Sequence, residues 1–263
     1  MPMFTSPRAC LIVLLGLLAA PAHAALFRSG DAVEVSGELR EAAFVSGENV
    51  LYQANSADSV YLAGCQVKLA SGSCGHLFAA AGTLDATKTS AKLGILFGGS
   101  LDLDSVHLGE AILAGGTIRL GGSSISGNLI SAAGNLRIDS KTVVKGSSII
   151  TAGLAALGGS FDREVRAWGS EVILSGRFQG DVYVVAEKVI VEAEAEIRGN
   201  LHHDTESLTI KNGARVLGKS IAITKPDPQS HASAYAAAVL AGLLFLLGSL
   251  LTLILIERGL PST

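Results

Sequence analysis

Residues 111–146 of the chain, AILAGGTIRLGGSSISGN followed by LISAAGNLRIDSKTVVKG, are one phrase written twice. Each copy has an apolar run closed by glycine (Ala111 to Gly116, Leu129 to Gly134), an alternating pair (Ile118 and Leu120, Leu136 and Ile138), a polar corner and a further glycine. A unit of about 18 residues is too short for a helix pair, which takes about 33. Apolar residues at every second position, with glycine at the corners, fit one coil of a parallel β-solenoid, whose short strands stack on the coil before.

The phrase extends in both directions. One glycine marker recurs at Gly47, Gly64, Gly82, Gly99, Gly116, Gly134, Gly153 and Gly169, and a second runs half a period out of phase at Gly75, Gly109, Gly127, Gly180 and Gly199. The corner glycines, Gly64, Gly82, Gly99, Gly116, Gly127, Gly134, Gly180 and Gly199, are expected to turn the chain by accepting φ > 0. From Gly30 to Ile223 there is room for roughly eleven coils of about 17–18 residues, a rod about 50 Å long. Val189, Val191, Ile197 and Leu201 should point inward, and Lys188, Glu192, Glu194 and Arg198 outward.

The 263 residues include 31 glycines and only 5% aromatics, which suits a narrow core of Val, Ile, Leu and Ala better than the core of a globular enzyme. Net charge is −3, or −4 once Arg8 is removed with a leader, so nothing points to nucleic acid.

The two ends have a different character from the repeat. Residues 1–24 have the parts of a secretory signal: Arg8, an apolar run from Leu11 to Ala20, and Ala22-His23-Ala24 as a cleavage site. The repeat domain is then 25–224, followed by a stiffened linker at 225–234 that begins Lys225-Pro226-Asp227-Pro228. Tyr235 to Ile256 carries no charge and as a helix would be about 33 Å long, enough to cross a bilayer. Glu257-Arg258 would stop it, leaving 257–263 as a short cytoplasmic tail. The expected location is the bacterial inner membrane, single-pass, with the solenoid on the periplasmic or extracellular side. Cys65 and Cys74 would then lie in an oxidising space, as a disulfide or as two small thiols.

Gln179-Gly180-Asp181-Val182-Tyr183, the run from Glu187-Lys188-Val189-Ile190-Val191 to Ile197-Arg198-Gly199-Asn200-Leu201, and Leu208 to Gly218 resemble the bactofilin family of polymer-forming bacterial cytoskeletal proteins. The likeness is best over Gly176 to Ile223 and recognisable from Ala111. It implies a single-stranded, right-handed parallel β-helix that stacks end to end without nucleotide and serves as a scaffold at the membrane. An export signal and a membrane helix depart from the familiar cytoplasmic members and move the expected role to the envelope.

Physical reasoning independently supports self-association, because a solenoid ends in strand edges that template another chain unless capped. Leu26 and Phe27 at the front, and Ile221 and Ile223 at the back, are the candidate polymer contacts. The expected partners are the chain itself head to tail, the membrane, and cell-wall or other envelope proteins.

No enzyme signature or cofactor site is evident. The coils are near minimal, with at most a short loop from Tyr52 to Ser59, so nothing walls a cleft around Asp102, Asp104 and Glu110. The six-residue phase of hexapeptide acyltransferases fails, since six steps from Leu129 land on Asn135 and Lys141. His202-His203-Asp204 cannot chelate one ion from a regular strand, whose side chains alternate. His76 and His107 stand singly at corners, and no phosphate-binding glycine loop is present. The rival reading is a non-polymerising module that binds glycan or protein along a ladder of aromatics. Tyr52, Tyr61, Phe78, Phe97, Trp168 and Tyr183 are the residues to inspect for it, with Phe78 and Phe97 spaced to stack as core.

Overall fold

The computed structural model describes residues 25–223; the leader, linker and apolar segment at 235–256 lie outside the described residues. Within them the chain forms a parallel β-solenoid of about twelve turns, one more than the spacing suggested, with every strand in a single 18-stranded sheet. Strand pairs are parallel and one coil apart, so a register position becomes a column running along the rod. One such column is Leu26, Ala43, Val60, Leu77, Gly94 and Ala111, which sets a 17-residue coil through the first part of the chain. No helix occurs among the described residues.

Coil length then varies, and the extra residues have a definite place. The coils beginning at Leu129, Val182 and Leu201 are 19 residues long. Each carries a turn closed by an N–H reaching back three residues: Thr142 to Asp139, Ala195 to Glu192, and Ala214 to Lys211. A corner can absorb two residues without moving the strands on either side, so the sheet register survives the change of period.

The core is the row of inward side chains that alternation supplies. Ile118, Leu120, Leu136 and Ile138 are at most 2% exposed, and Val189, Val191, Ile197 and Leu201 are fully buried as expected. Lys188, Glu194 and Arg198 face out, while Glu192 is half-buried and paired with Lys211 at 2.6 Å. Rings enter this narrow core only at a few levels: Phe161 and Phe178 stack with centroids 5.0 Å apart, and Tyr52 is 2% exposed. Tyr52 to Ser56 is the end of the strand Ala43–Ser56, so the expected loop from Tyr52 to Ser59 shrinks to residues 57–59.

Corner glycines serve a purpose other than the one expected. None of Gly64, Gly82, Gly99, Gly116, Gly127, Gly134, Gly180 and Gly199 has positive φ. They are required by close approach: a Cβ on Gly99, Gly116, Gly134 or Gly153 would sit 2.8 Å from the carbonyl oxygen of the glycine one coil back. The first marker also joins two adjacent columns. Gly47 and Gly64 share a column with Ala81, whereas Gly82 to Gly153 stand one position later. Left-handed backbone falls at a different corner, at Lys88 (φ 51°), Ser105 (56°) and Gly122 (54°).

Corner side chains knit one coil to the next. The Asn128 N–H donates to Glu110 Oε2 at 2.8 Å, and the Ser147 N–H donates to Asn128 Oδ1 at 2.9 Å. The same hand-over recurs from Asn200 N–H to Asp181 Oδ1 (2.7 Å) and from Lys219 N–H to Asn200 Oδ1 (3.0 Å). Glu110 is therefore a corner brace and not part of an acidic patch.

Candidate functional site

The first strand of each coil turns two side chains outward, and their identities make one side of the rod unusual. The leading outward column runs Phe27, Phe44, Tyr61, Phe78, Ile95, Ile112, Ile130 and Ile149. Its four rings form a continuous stack with centroids 5.0, 4.5 and 4.7 Å apart and planes within 8° of parallel. Two residues further along the strand lies a second column of small side chains, Ser29, Ser46, Ala63, Ala80, then Phe97, Ala114, Ala132 and Thr151. Phe97 is the one large residue in it and is only 7% exposed, so it lies down in the groove instead of standing proud. Across these eight coils neither column holds a charge.

Below Ile149 the ridge continues with polar rings. The Arg166 guanidinium lies 5.2 Å from the centroid of Tyr183, and Tyr183 stacks on His202 at 4.4 Å. His202 Nε2 stands 3.8 Å from Asp181 Oδ2. Trp168, Val185 and Asp204 occupy the second column at these levels.

The side built by the second strands is polar over the five coils from Gln66 to Arg137, with Leu51 and Leu154 bounding it. Gln66, Thr83, Ser100, Thr117 and Asn135 form one outward column, and Lys68, Asp85, Asp102, Arg119 and Arg137 the other. Asp102 therefore sits in a row of both signs, next to Arg119, as solvated surface does. The solenoid is thus amphipathic crosswise, one flat side apolar and the other charged.

The ends are the second notable place. Phe27 (68% exposed), Ile210 (45%) and Leu217 (59%) are the exposed large hydrophobics among the described residues, and all lie in the terminal coils. Among the described residues the strand Leu26–Leu39 pairs only with Ala43–Ser56, and Ser220–Ala222 only with Leu201–Ile210. Leu26, Ile221 and Ile223 are half-buried; Ile221 continues the ridge. Ile210 and Leu217 are the end residues that sequence reasoning missed. Strand alternation alone would have placed Ile210 inward, and only the shortness of the last coil exposes it.

Other candidates resolve individually. Cys65 is exposed, Cys74 is buried, and both are free thiols, since one lies outward at a bend and the other inward at the third side. Burial pushes the Cys74 thiol up to about 11, and burial together with the nearby Cys74 raises the Tyr52 phenol. His202 faces out and His203 in, as alternation demands, leaving His203 Nδ1 buried and without a hydrogen-bond partner. His107 lines a shallow open depression of about 340 Å³ with Ser73, Cys74, Ser90 and Lys92. His76 holds Ser59 at 3.2 Å. No group of three His, Cys, Asp or Glu among the described residues is placed to hold a metal ion.

The aromatics divide differently from expectation. Tyr52 is core; Phe78 stacks on Tyr61 and not on Phe97, whose column neighbour is Ala80. The missed members of the ladder are Phe27 and Phe44, and their signal is the interval of 17 between Phe27, Phe44, Tyr61 and Phe78. No protein-family model, curated protein or solved structure matches the chain.

Proposed function

We propose that the chain is a non-enzymatic, bactofilin-like scaffold that is tethered to the bacterial inner membrane and self-associates end to end on the envelope side. In this reading the coils wind right-handed, 235–256 is the tether, and envelope or cell-wall proteins bind along the rod. The observation that carries it is the placement of Phe27, Ile210 and Leu217, apolar and exposed at the two ends of the sheet, which have no further strand among the described residues. An unpaired strand edge with apolar side chains beside it favours another strand. Contact between unlike ends does not close on itself, so it propagates as a filament.

A binding module is the reading from another class, and the stacked rings from Phe27 to Phe78 favour it. Sugars, however, need polar side chains beside each ring to satisfy their hydroxyls, and the adjacent column offers Ser46 and then Ala63 and Ala80. The scaffold reading is therefore preferred.

Electron microscopy and sedimentation of the full chain, against the chain carrying Ile210→Lys and Leu217→Lys, test it. Filaments or large species that shrink to short units in the variant are expected. Short units from both would refute end-to-end assembly.

A further inference from the structure

We infer that the apolar side of the rod pairs with the same side of a second copy, the two rods lying parallel about a twofold axis along their length. The inference concerns the lateral face and stands apart from assembly through the ends.

Eight coils whose first strands hold no charge in their outward columns, at about 4.8 Å each and about 16 Å wide, present on the order of 600 Å² per copy. Including the lower coils, which carry Arg166, His202 and Asp204, brings two facing copies to about 1,700 Å², the size of a stable interface, and the uncharged part alone stands at the top of the range of about 300–600 Å² for a monomer's largest apolar patch. The charged side built by the second strands, from Lys68 to Arg137, shows that the sheet itself does not demand apolar residues outward.

Shape selects the partner and its direction. The face is a ridge of Phe, Tyr and Ile beside a groove of Ser and Ala, with Phe97 tucked into that groove. A twofold axis along the rod exchanges left and right across the interface, so each ridge faces the other copy's groove. An axis across the rod would make the copies antiparallel and press ridge against ridge. Only the parallel arrangement interdigitates as packed sheets do.

The lower coils add chemical complementarity in the same arrangement, coil against like coil. Arg166 on the ridge meets Trp168 of the second copy, a cation over an indole. His202 meets Asp204 of the second copy, an acceptor for an imidazole N–H. Parallel rods also bring both C-terminal ends to one side, as a shared tether requires.

The test uses the full chain with Cys65→Ser, prepared as two differently tagged versions, Ile112→Cys and Ala114→Cys, mixed and treated with a short bis-maleimide. A mixed-tag cross-link between 112 and 114 is expected, stronger than that of either version with itself. Ile130→Lys, or Ala132→Phe should the first variant fail to fold, should abolish the cross-link while circular dichroism stays native. The cross-link should survive Ile210→Lys with Leu217→Lys, which separates this inference from the filament reading. No mixed cross-link in folded protein would overturn it. A cross-link joining Phe44→Cys to Ile149→Cys would overturn it too, since only antiparallel rods bring those levels together.

Discussion

Gly146→Ala isolates the force that makes this repeat glycine-rich. A Cβ at Gly146 would lie 2.3 Å from the carbonyl carbon and oxygen of Gly127 and 2.7 Å from the Asn128 nitrogen, where ordinary contact begins at 3.4 Å. All three atoms are backbone, so no rotamer change relieves the overlap, and the coils must part by about 1 Å of their ~4.8 Å spacing. The Gly146 N–H donates to Gly127 O at 2.9 Å at that same point, so parting the coils breaks the bond. Overpacking costs about 1–3 kcal/mol and an orphaned buried N–H about 1–3 kcal/mol. The stiffer unfolded chain offsets only about 0.4–1 kcal/mol. A net loss of about 3 kcal/mol lowers Tm by about 6–12 °C in a domain of this size. Gly121→Ala is the control, because its nearest neighbour is Asp104 Oδ1 at 3.1 Å, the end of a side chain that can turn away. Thermal melts followed by circular dichroism, with hydrogen exchange to localise the damage to coils around 127–146, make the comparison. Equal melting of the two variants would refute close approach as the reason for these glycines.

Two further outcomes follow from the corner and core chemistry. Burial raises the pKa of Asp139, but hydrogen bonds from the Thr142 hydroxyl and the N–H groups of Gly122, Lys141 and Thr142 outweigh it and hold the carboxyl below its ordinary value. A depressed folded pKa stabilises the fold above the unfolded value, about 3.9, and the gain disappears as pH falls through the folded value. Urea melts should therefore show Asp139→Asn less stable than wild type at pH 7, by about 1 kcal/mol for so open a site, with the gap closing below about pH 4. For the thiols, iodoacetamide at pH 8 followed by mass spectrometry should label Cys65 and spare Cys74, whose burial keeps it protonated up to about 11, until the chain is unfolded. Equal labelling, or a recovered Cys65–Cys74 bridge, would contradict the free, oppositely placed thiols.

What could be read in advance divides along physical lines. The solenoid and its inward residues were legible because a strand alternates with period two and a narrow core admits few side-chain types, so Val189, Val191, Ile197 and Leu201 declare their own direction. Column phase was not legible. Glycine moves from one of two adjacent bend positions to the other along the rod, so Gly64 passes into Gly82 without a visible break although they belong to different columns. That one-residue slip hid the aromatic ridge, because moving by one in a strand exchanges inside and outside. In the early coils the bend is further disguised by Asp31, Glu48 and Cys65, which leave the interval of 17 as the only guide. The role of Gly127 and the other corner glycines was misjudged for a related reason: sequence shows that a Cβ is excluded but not whether φ or proximity excludes it.

Ends and side then reinforce each other. The last coil contributes only Ser220–Ala222 as strand, so a head-to-tail junction made there begins from three residues of backbone pairing. A contact that small is weak on its own. Ile221, however, occupies the ridge column, and stacking it on Phe27 of a following copy would carry the ridge across the junction without a break. A rod added to a laterally paired filament would then gain an end contact and a stretch of side contact together, and the second forms intramolecularly once the first is made. Weak junctions held by a long zipper assemble cooperatively, so the lateral variant Ile130→Lys should raise the concentration needed for filaments. Loss of lateral pairing with no change in that concentration would show that the two contacts act independently.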